Sequence, residues 1–252
     1  MPCISDIPVA LLAGGLATRL RPITQTIPKA LVEVAGRPFI DHQLALLHRN
    51  GIRRVVLCLG HLGGQVREHC GDGRRFGMDV RYSFDGDKLM GTGGAIARAK
   101  HLLGELPDDV LWVMYGDSYM DIDYRSVLAS FLRPQLPPPL GLMTVLHNGN
   151  RWDTSNVIFR HGRLLKYDKR DRSPEMDYID YGVALLRRAA VDRIPTDRPF
   201  DLAELYSSLV AEGRMIGFEV TQRFYEIGTP QSLEEARAYL SRNRCEGARN
   251  IA

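Results

Sequence analysis

The 252-residue sequence is poor in the features that mark several protein classes. It has four cysteines, Cys3, Cys58, Cys70 and Cys245. They form neither a C-x-x-C pair nor a metal-ligand spacing with the histidines, so neither a disulfide framework nor a cysteine-bound metal is expected. No run approaches the roughly 20 apolar residues of a membrane helix. The N-terminus lacks the basic segment of a secretory signal, and its apolar run meets glycine too soon for one. These absences lead us to expect a cytoplasmic protein with no membrane partner. Charge is nearly balanced, 33 Lys and Arg against 30 Asp and Glu, and announces no nucleic-acid partner. No G-K-[S/T] closes a glycine loop, and G-G-L-A-T-R does not have G-x-G-x-x-G spacing, which disfavours a kinase and a two-domain dehydrogenase. No hexapeptide repeat follows the last expected helix, so no β-helical acetyltransferase extension is expected.

What is present is concentrated between Ala10 and Leu31. Val9 to Leu12 reads as a short buried strand that breaks at Ala13, Gly14 and Gly15. Two adjacent glycines after a strand remove the side chains that would keep a phosphate or a base away from main-chain N–H groups. Arg19, Arg21 and Lys29 follow, and Glu33 is the only acid near them. Pro22 and Pro28 prevent one continuous helix and hold the segment as a shaped loop. Positive charge beside bare backbone suits a phosphate; the plain alternative is a solvated basic loop after an ordinary strand.

Pro38 opens a helical pattern with Phe39, Ile40, Leu44 and Leu47 on one face, and Asn50–Gly51 stops it. Strands over Val55–Leu59 and Met78–Phe84 flank a helix over Gln65–Cys70. This alternation predicts an α/β fold with a Rossmann-like doubly wound sheet, which binds ligands at the carboxyl ends of its strands. Gly91, Thr92, Gly93 and Gly94 precede a helix expected over Ala95–Leu103, where free N–H groups favour an anion or a polar base edge; a tight strand-to-helix turn is the alternative. The apolar strand Val110–Tyr115 ends at Gly116–Asp117–Ser118, which places a carboxylate where a hard divalent cation can be held. Asp121 and Asp123 fall to the loop and the cap of the next helix.

Four prolines between Arg133 and Leu140 make a stiff surface connection within one domain. They separate a half of about residues 1–132 from one of about 140–230, ahead of a C-terminal helix over 230–242. In the second half Leu142–Leu146, Asn156–Phe159, Leu164–Tyr167, Tyr178–Leu185 and Met215–Val220 read as strands, with a hairpin at His161–Gly162, so the whole sheet is expected to be mixed. Phe200–Glu212 is an amphipathic helix with Leu202, Leu205, Leu209 and Val210 inward.

These motifs, in this order, resemble those of the sugar-phosphate nucleotidyltransferases. Leu12–Gly15, Thr18–Leu20, Pro22, Thr24 and Pro28–Lys29 match that family's L-A-G-G-x-G-T-R-L-x-P-x-T and P-K, with Ala17 where many members have glycine. Gly91–Ala95 matches its G-T-[A/G]-G-A, and Gly116–Asp117 its G-D. Phe224–Pro230 resembles W-x-D-[I/V]-G-T-P, with Phe224 for tryptophan and Glu226 for aspartate.

The resemblance implies the nucleotide-diphospho-sugar transferase fold, with Leu12, Ala13, Gly14, Gly15, Gly91, Thr92, Gly93 and Gly116 around a nucleotide. It implies that Arg19 neutralises the leaving pyrophosphate, that Lys29 bridges toward the α-phosphate, and that Asp117 and Glu226 hold Mg2+. By the same resemblance Lys169 stands at the lysine of an E-K-P element that binds the acceptor phosphate. Asp168 and Arg170 replace its glutamate and proline, and Arg170 or Arg172 could share the work. Asp180 and Gly182 correspond to the N-x-G-[I/V] strand and become sugar contacts, the glycine leaving room for the ring. The implied reaction is transfer of a nucleotidyl group from a nucleoside triphosphate to a sugar 1-phosphate. The likeness is greatest to heptose 1-phosphate guanylyltransferases and their relatives, so GTP and a heptose or related aldose are expected. Uridylyl or cytidylyl transfer to another sugar or alcohol phosphate stays open, as does a non-catalytic relative that senses sugar nucleotides. Homodimers are common in this family, though no residue here marks an interface.

Overall fold

The computed structural model describes residues 2–86, 88–104 and 106–249. Its centre is four parallel strands, the inner three largely buried on both faces, as runs such as V-A-L-L-A and V-L-W-V-M-Y require, and the edge strand mixing buried and exposed residues. These are β1 (Val9–Ala13), β2 (Arg54–Leu59), β3 (Asp79–Phe84) and β4 (Val110–Tyr115). The second half contributes β5 (Gly141–His147), the hairpin β6 (Val157–Arg160) and β7 (Arg163–Tyr167), β8 (Tyr178–Arg187) and β9 (Met215–Val220). Together they form one nine-stranded mixed sheet. Its main path runs β3-β2-β1-β4-β8-β5-β9, with β8 antiparallel to both β4 and β5. The β6–β7 hairpin turns at His161 and Gly162, both at positive φ as a tight two-residue turn demands, and joins the sheet through Val157 opposite Tyr178.

Alternation along the strands sorts the core into two layers. Val9, Leu11, Val55, Leu57, Trp112 and Met114 face one cluster, and Ala10, Val56, Cys58, Leu111 and Val113 face the other. On the first side lie α1 (Phe39–Arg49), α2 (Gly63–Cys70) and α4 (Tyr124–Leu132); on the second lie α3 (Gly91–Ala99), α5 (Arg188–Val191) and α6 (Leu202–Ala211). Asp123 caps α4 by accepting from the Arg125 and Ser126 N–H groups, as its position before the helix suggested. The last helix, α7 (Pro230–Arg249), runs beyond the expected end at 242 and packs with Leu20, Val34 and Phe39 through Leu233, Ala236 and Leu240.

The second glycine cluster corrects the sequence reading. The helix begins at Gly91 and ends at Ala99, followed by a 3-10 turn over Lys100–Leu102, rather than spanning Ala95–Leu103. The glycines form its first turn because that turn lies against the backbone at Phe200. A Cβ on Gly93 would come within 2.7 Å of the Phe200 ring, and one on Gly91 within 2.7 Å of the Phe200 carbonyl oxygen. Two two-residue ladders also escaped the sequence reading: Glu33–Val34 with Arg37–Pro38, and Ser118–Tyr119 with Tyr225–Glu226. Among the described residues no helix is long and apolar enough to cross a membrane. Cys3, Cys58 and Cys70 are free thiols, and the Cys245 side chain lies outside the described residues.

Candidate active site

The chain leaves β1 toward β2 on one side and returns through β4 on the other, and a cleft of about 390 Å³ opens over the carboxyl ends of these strands. Leu12, Ala13, Gly14, Gly15, Gly91, Thr92 and Gly116 line it, together with Arg19, Lys29 and Asp117. Gly93 does not. Its N–H, with that of Gly94, donates to the Phe200 carbonyl at 2.9 and 3.2 Å, so these two donors serve packing. Thr92 is similarly engaged, its hydroxyl donating to Asp201 and accepting from the Leu202 N–H.

The loop after β1 is a series of 3-10 turns at Thr18–Leu20, Ile23–Gln25 and Lys29–Leu31, the second and third each directly preceded by a proline. Ala17 takes a left-handed conformation (φ 47°), which explains why glycine suits this position, and the Thr24 hydroxyl donates to its carbonyl at 2.8 Å. Gly15 faces open space. Gly14 lies so close to the end of β2 that a Cβ on Gly60 would sit 2.4 Å from the Gly14 carbonyl oxygen. Sequence reading did not single out Gly60. It also passed over Asp85, which lines the cleft and whose carboxyl burial pushes above the usual range against the opposing pull of Arg98. Asp85 follows β3 as Asp117 follows β4, and that shared strand-end position was its available signal. Cys58 lines the cleft too, but burial pushes its thiol up to about 12, so it is a wall and no nucleophile.

The charged residues meet at one end of the cleft. Lys29 Nζ lies 2.7 Å from Asp117 Oδ2, and the Ser118 hydroxyl donates to Asp117 Oδ1 at 3.2 Å. The small ladder sets Glu226 opposite Ser118, and the Ile227 N–H donates to the Asp117 carbonyl at 2.9 Å. A Cβ on Gly228 would lie 3.0 Å from the Arg19 guanidinium and 3.1 Å from the Glu226 carboxylate, so glycine there lets the two approach. Burial, and then the charge of Asp117, push the Glu226 carboxyl above its ordinary range, while Lys29 and Arg19 pull it down. Two carboxylates brought together in this way suit a divalent cation. Among the described residues no group of three or more His, Cys, Asp or Glu forms a complete metal cage. Phosphate oxygens and water would have to complete the shell, as Mg2+ tolerates.

On the other side of β4, Lys169 Nζ donates to the Tyr115 hydroxyl at 3.2 Å and lies 5.1 Å from the ring centroid. The space expected at Gly182 is filled: a Cβ there would meet the Tyr115 ring and the Met120 sulfur at 3.0 Å each. The β8–β5 register shifts between Asp180 and Ala184, and Gly182 takes φ +99° within that irregularity. Asp180 accepts from the Gly182 N–H at 3.0 Å and from the Tyr167 hydroxyl at 3.3 Å. Asp168 folds the following loop by accepting from the N–H groups of Arg170 and Asp171, leaving the Arg170 and Arg172 side chains exposed.

Burial raises the Asp180 carboxyl above the ordinary range, with Lys169 the main opposing influence. A raised folded value means that the folded state holds the proton more tightly than the unfolded state. Stability from this group is fully present below about pH 4 and is lost as pH rises through the folded value. Asp180→Asn, which cannot titrate, is therefore expected to gain in melting temperature over the wild type as pH rises from 4 to 8. A gap independent of pH would contradict it.

Similarity to known proteins agrees with this geometry. The nucleotidyl transferase family model matches residues 9–136. An N-acetylmuramate α-1-phosphate uridylyltransferase of Neisseria meningitidis serogroup B is 31% identical over 234 residues, covering 90% of this chain and 96% of its own. A mannose-1-phosphate guanylyltransferase of Mycobacterium tuberculosis is 27% identical over 254 residues; the match covers 94% of this chain, which spans only 65% of that protein's length. Among solved structures, HddC from Yersinia pseudotuberculosis, complexed with GMP-PN, shares the fold with a TM-score of 0.75 at 22% identity, covering 93% of this chain and 99% of its own. With the family model matched over half the chain and a relative 31% identical over nine tenths of it, this protein belongs to the nucleotidyl transferase family.

Proposed function

We propose that this protein transfers a nucleotidyl group from a nucleoside triphosphate to a sugar 1-phosphate, forming a nucleoside diphosphate sugar and pyrophosphate. The observation that carries the reading is the convergence of Arg19, Lys29, Asp117 and Glu226 at one end of a glycine-walled cleft. An oxygen of the acceptor phosphate attacks the α-phosphorus, a new P–O bond forms, and the bond to the β-phosphate oxygen breaks. The nucleophile is already an anion, so no side chain has to take a proton. The protein's work is to hold two mutually repelling anions in line and to neutralise charge as it moves to the leaving group. Arg19 does this on the pyrophosphate side and Lys29 at the α-phosphate. Asp117 and Glu226 would hold Mg2+, which when bound supplies positive charge to the phosphate oxygens. Lys169, oriented by Tyr115 and balanced by Asp180, is the cation for the acceptor phosphate. Gly182 serves by letting Tyr115 close against it.

GTP and a heptose or related aldose 1-phosphate are the favoured pair. The motif likeness supports this, as does a fold neighbour solved with the guanine nucleotide GMP-PN. The relatives named above include both a guanylyl- and a uridylyltransferase, so base and sugar are tested together. The substrates are intracellular metabolites, and a cytoplasmic setting belongs to the same reading. The experiment is pyrophosphate release with Mg2+, with GTP, UTP, CTP and ATP each set against heptose, mannose and glucose 1-phosphates. Release with one pair establishes the reaction and its substrates. Binding of a sugar nucleotide with no release from any pair would replace this reading with a non-catalytic sensor.

A further inference from the structure

At Arg19 and Glu226 a second cavity begins, of about 250 Å³, whose further lining by Arg151, Trp152, Asp153, Arg223 and Glu235 lies outside the family motifs. Arg19 lines both spaces, so the two adjoin there. Its distinctive feature is a stack of cations and rings. The Arg151 guanidinium lies 5.4 Å from the centroid of the Trp152 ring, and that of Arg223 lies 5.2 Å from the same ring and 4.8 Å from Tyr225. Tyr225 in turn stacks on Tyr239 at 3.9 Å. Rings that carry guanidinium groups hold them in place with little loss of freedom on binding a ligand. Arg223 also pairs with Glu235, yet its buried Nε has no hydrogen-bond partner among the described residues. A buried donor without an acceptor costs stability unless a ligand supplies one.

Three guanidinium groups from separate segments of the chain therefore face one cavity. Of the acids there, Glu235 is paired with Arg223 and Glu226 faces Asp117 at the proposed metal position. Asp153 has no ion pair among the described residues; its carboxylate accepts from the Thr154 N–H at 2.6 Å. With Trp152 engaged by two cations, the lining suits a small polyanion better than a sugar ring. We propose that this cavity receives the pyrophosphate, with Arg223 and Arg151 as its cations beyond Arg19. The assignment rests on the transfer reading above. In the forward direction the pyrophosphate passes into the cavity as its bond to the α-phosphorus breaks. In the reverse direction one of its oxygens attacks the α-phosphorus of the nucleoside diphosphate sugar, and the sugar 1-phosphate leaves.

The test is calorimetric titration of inorganic pyrophosphate, with Mg2+, into the full chain and its variants. Arg223→Gln and Arg151→Gln are each expected to weaken pyrophosphate binding by about tenfold. Asp153→Asn, which removes the unpaired acid, is expected to tighten it a few-fold. Mannose and glucose 1-phosphates are expected to bind all four proteins alike. Arg151 is exposed, so its variant keeps the test open if Arg223→Gln loses its fold. The proposal falls if the wild type does not bind pyrophosphate, or if both arginine variants bind it as the wild type does. It falls equally if they loosen the sugar 1-phosphates instead, which would make the cavity the acceptor's seat. Arginine-dependent pyrophosphate binding without turnover on any substrate pair would sink the transfer reading and leave the cavity assigned.

Discussion

Asp117→Ala is expected to lower the kcat/KM of pyrophosphate release by on the order of a thousandfold while leaving the circular dichroism spectrum and melting temperature close to those of the wild type. The size of the effect follows from position. Asp117 is the carboxylate that Lys29 reaches at 2.7 Å and toward which the small ladder carries Glu226. Removing it takes away one of two proposed metal ligands and frees Lys29 from its only partner among the described residues. The small effect on stability follows from where the carboxylate sits. Asp117 lines the cleft with 36% of its side chain exposed, and its partner Lys29, though only 16% exposed, also lines that cleft rather than the core. Near-normal turnover would take Asp117 out of the mechanism, and a large drop in melting temperature would recast it as a structural residue.

Gly60→Ala should show the opposite pattern, acting through the backbone and touching no substrate. Its Cβ would lie 2.4 Å from the Gly14 carbonyl oxygen and 3.2 Å from Gly14 Cα. No side chain can move aside, so the end of β2 or the loop after β1 must shift. A clash of this kind costs about 1–3 kcal/mol of stability. It should also weaken nucleoside triphosphate binding by about tenfold or more, because Gly14 and Gly15 are the wall on which the phosphates are proposed to rest. The control is Gly64→Ala four residues on, in the first turn of α2, where an added Cβ meets nothing within 4 Å. That variant should bind normally and gain about 0.5–1 kcal/mol, since alanine is the better helix former. Normal nucleotide binding by Gly60→Ala would show that the loop's position does not depend on this contact.

Much of the fold was legible because its signals are local. An apolar run of five or six residues ending in glycine or aspartate reads as a buried strand whatever lies elsewhere in the chain, and β1, β2 and β4 fall where such runs stand. Proline at 38 and aspartate at 123 start their helices for reasons confined to one turn. Less was legible where glycine serves contact rather than conformation. At Gly93 and Gly94 the free N–H groups anticipated for a ligand are taken by Phe200, more than a hundred residues away. At Gly182 the anticipated room is filled by Tyr115 and Met120. In each case the sequence shows that a side chain is missing, and only the packing shows what takes its place.

The sequence by itself determined the order of the nine sheet strands and of the longer helices, the loop after β1 with its cations, and the place of Asp117 at a strand end, because each depends on residues adjacent along the chain. Only the tertiary structure decided that Glu226 reaches Asp117 through a two-residue ladder, that Gly60 sets the place of Gly14, and that Arg19, Arg151 and Arg223 share one cavity. Those partners lie 46 to more than 200 residues apart, and no local periodicity encodes a contact that the crossing of distant strands creates.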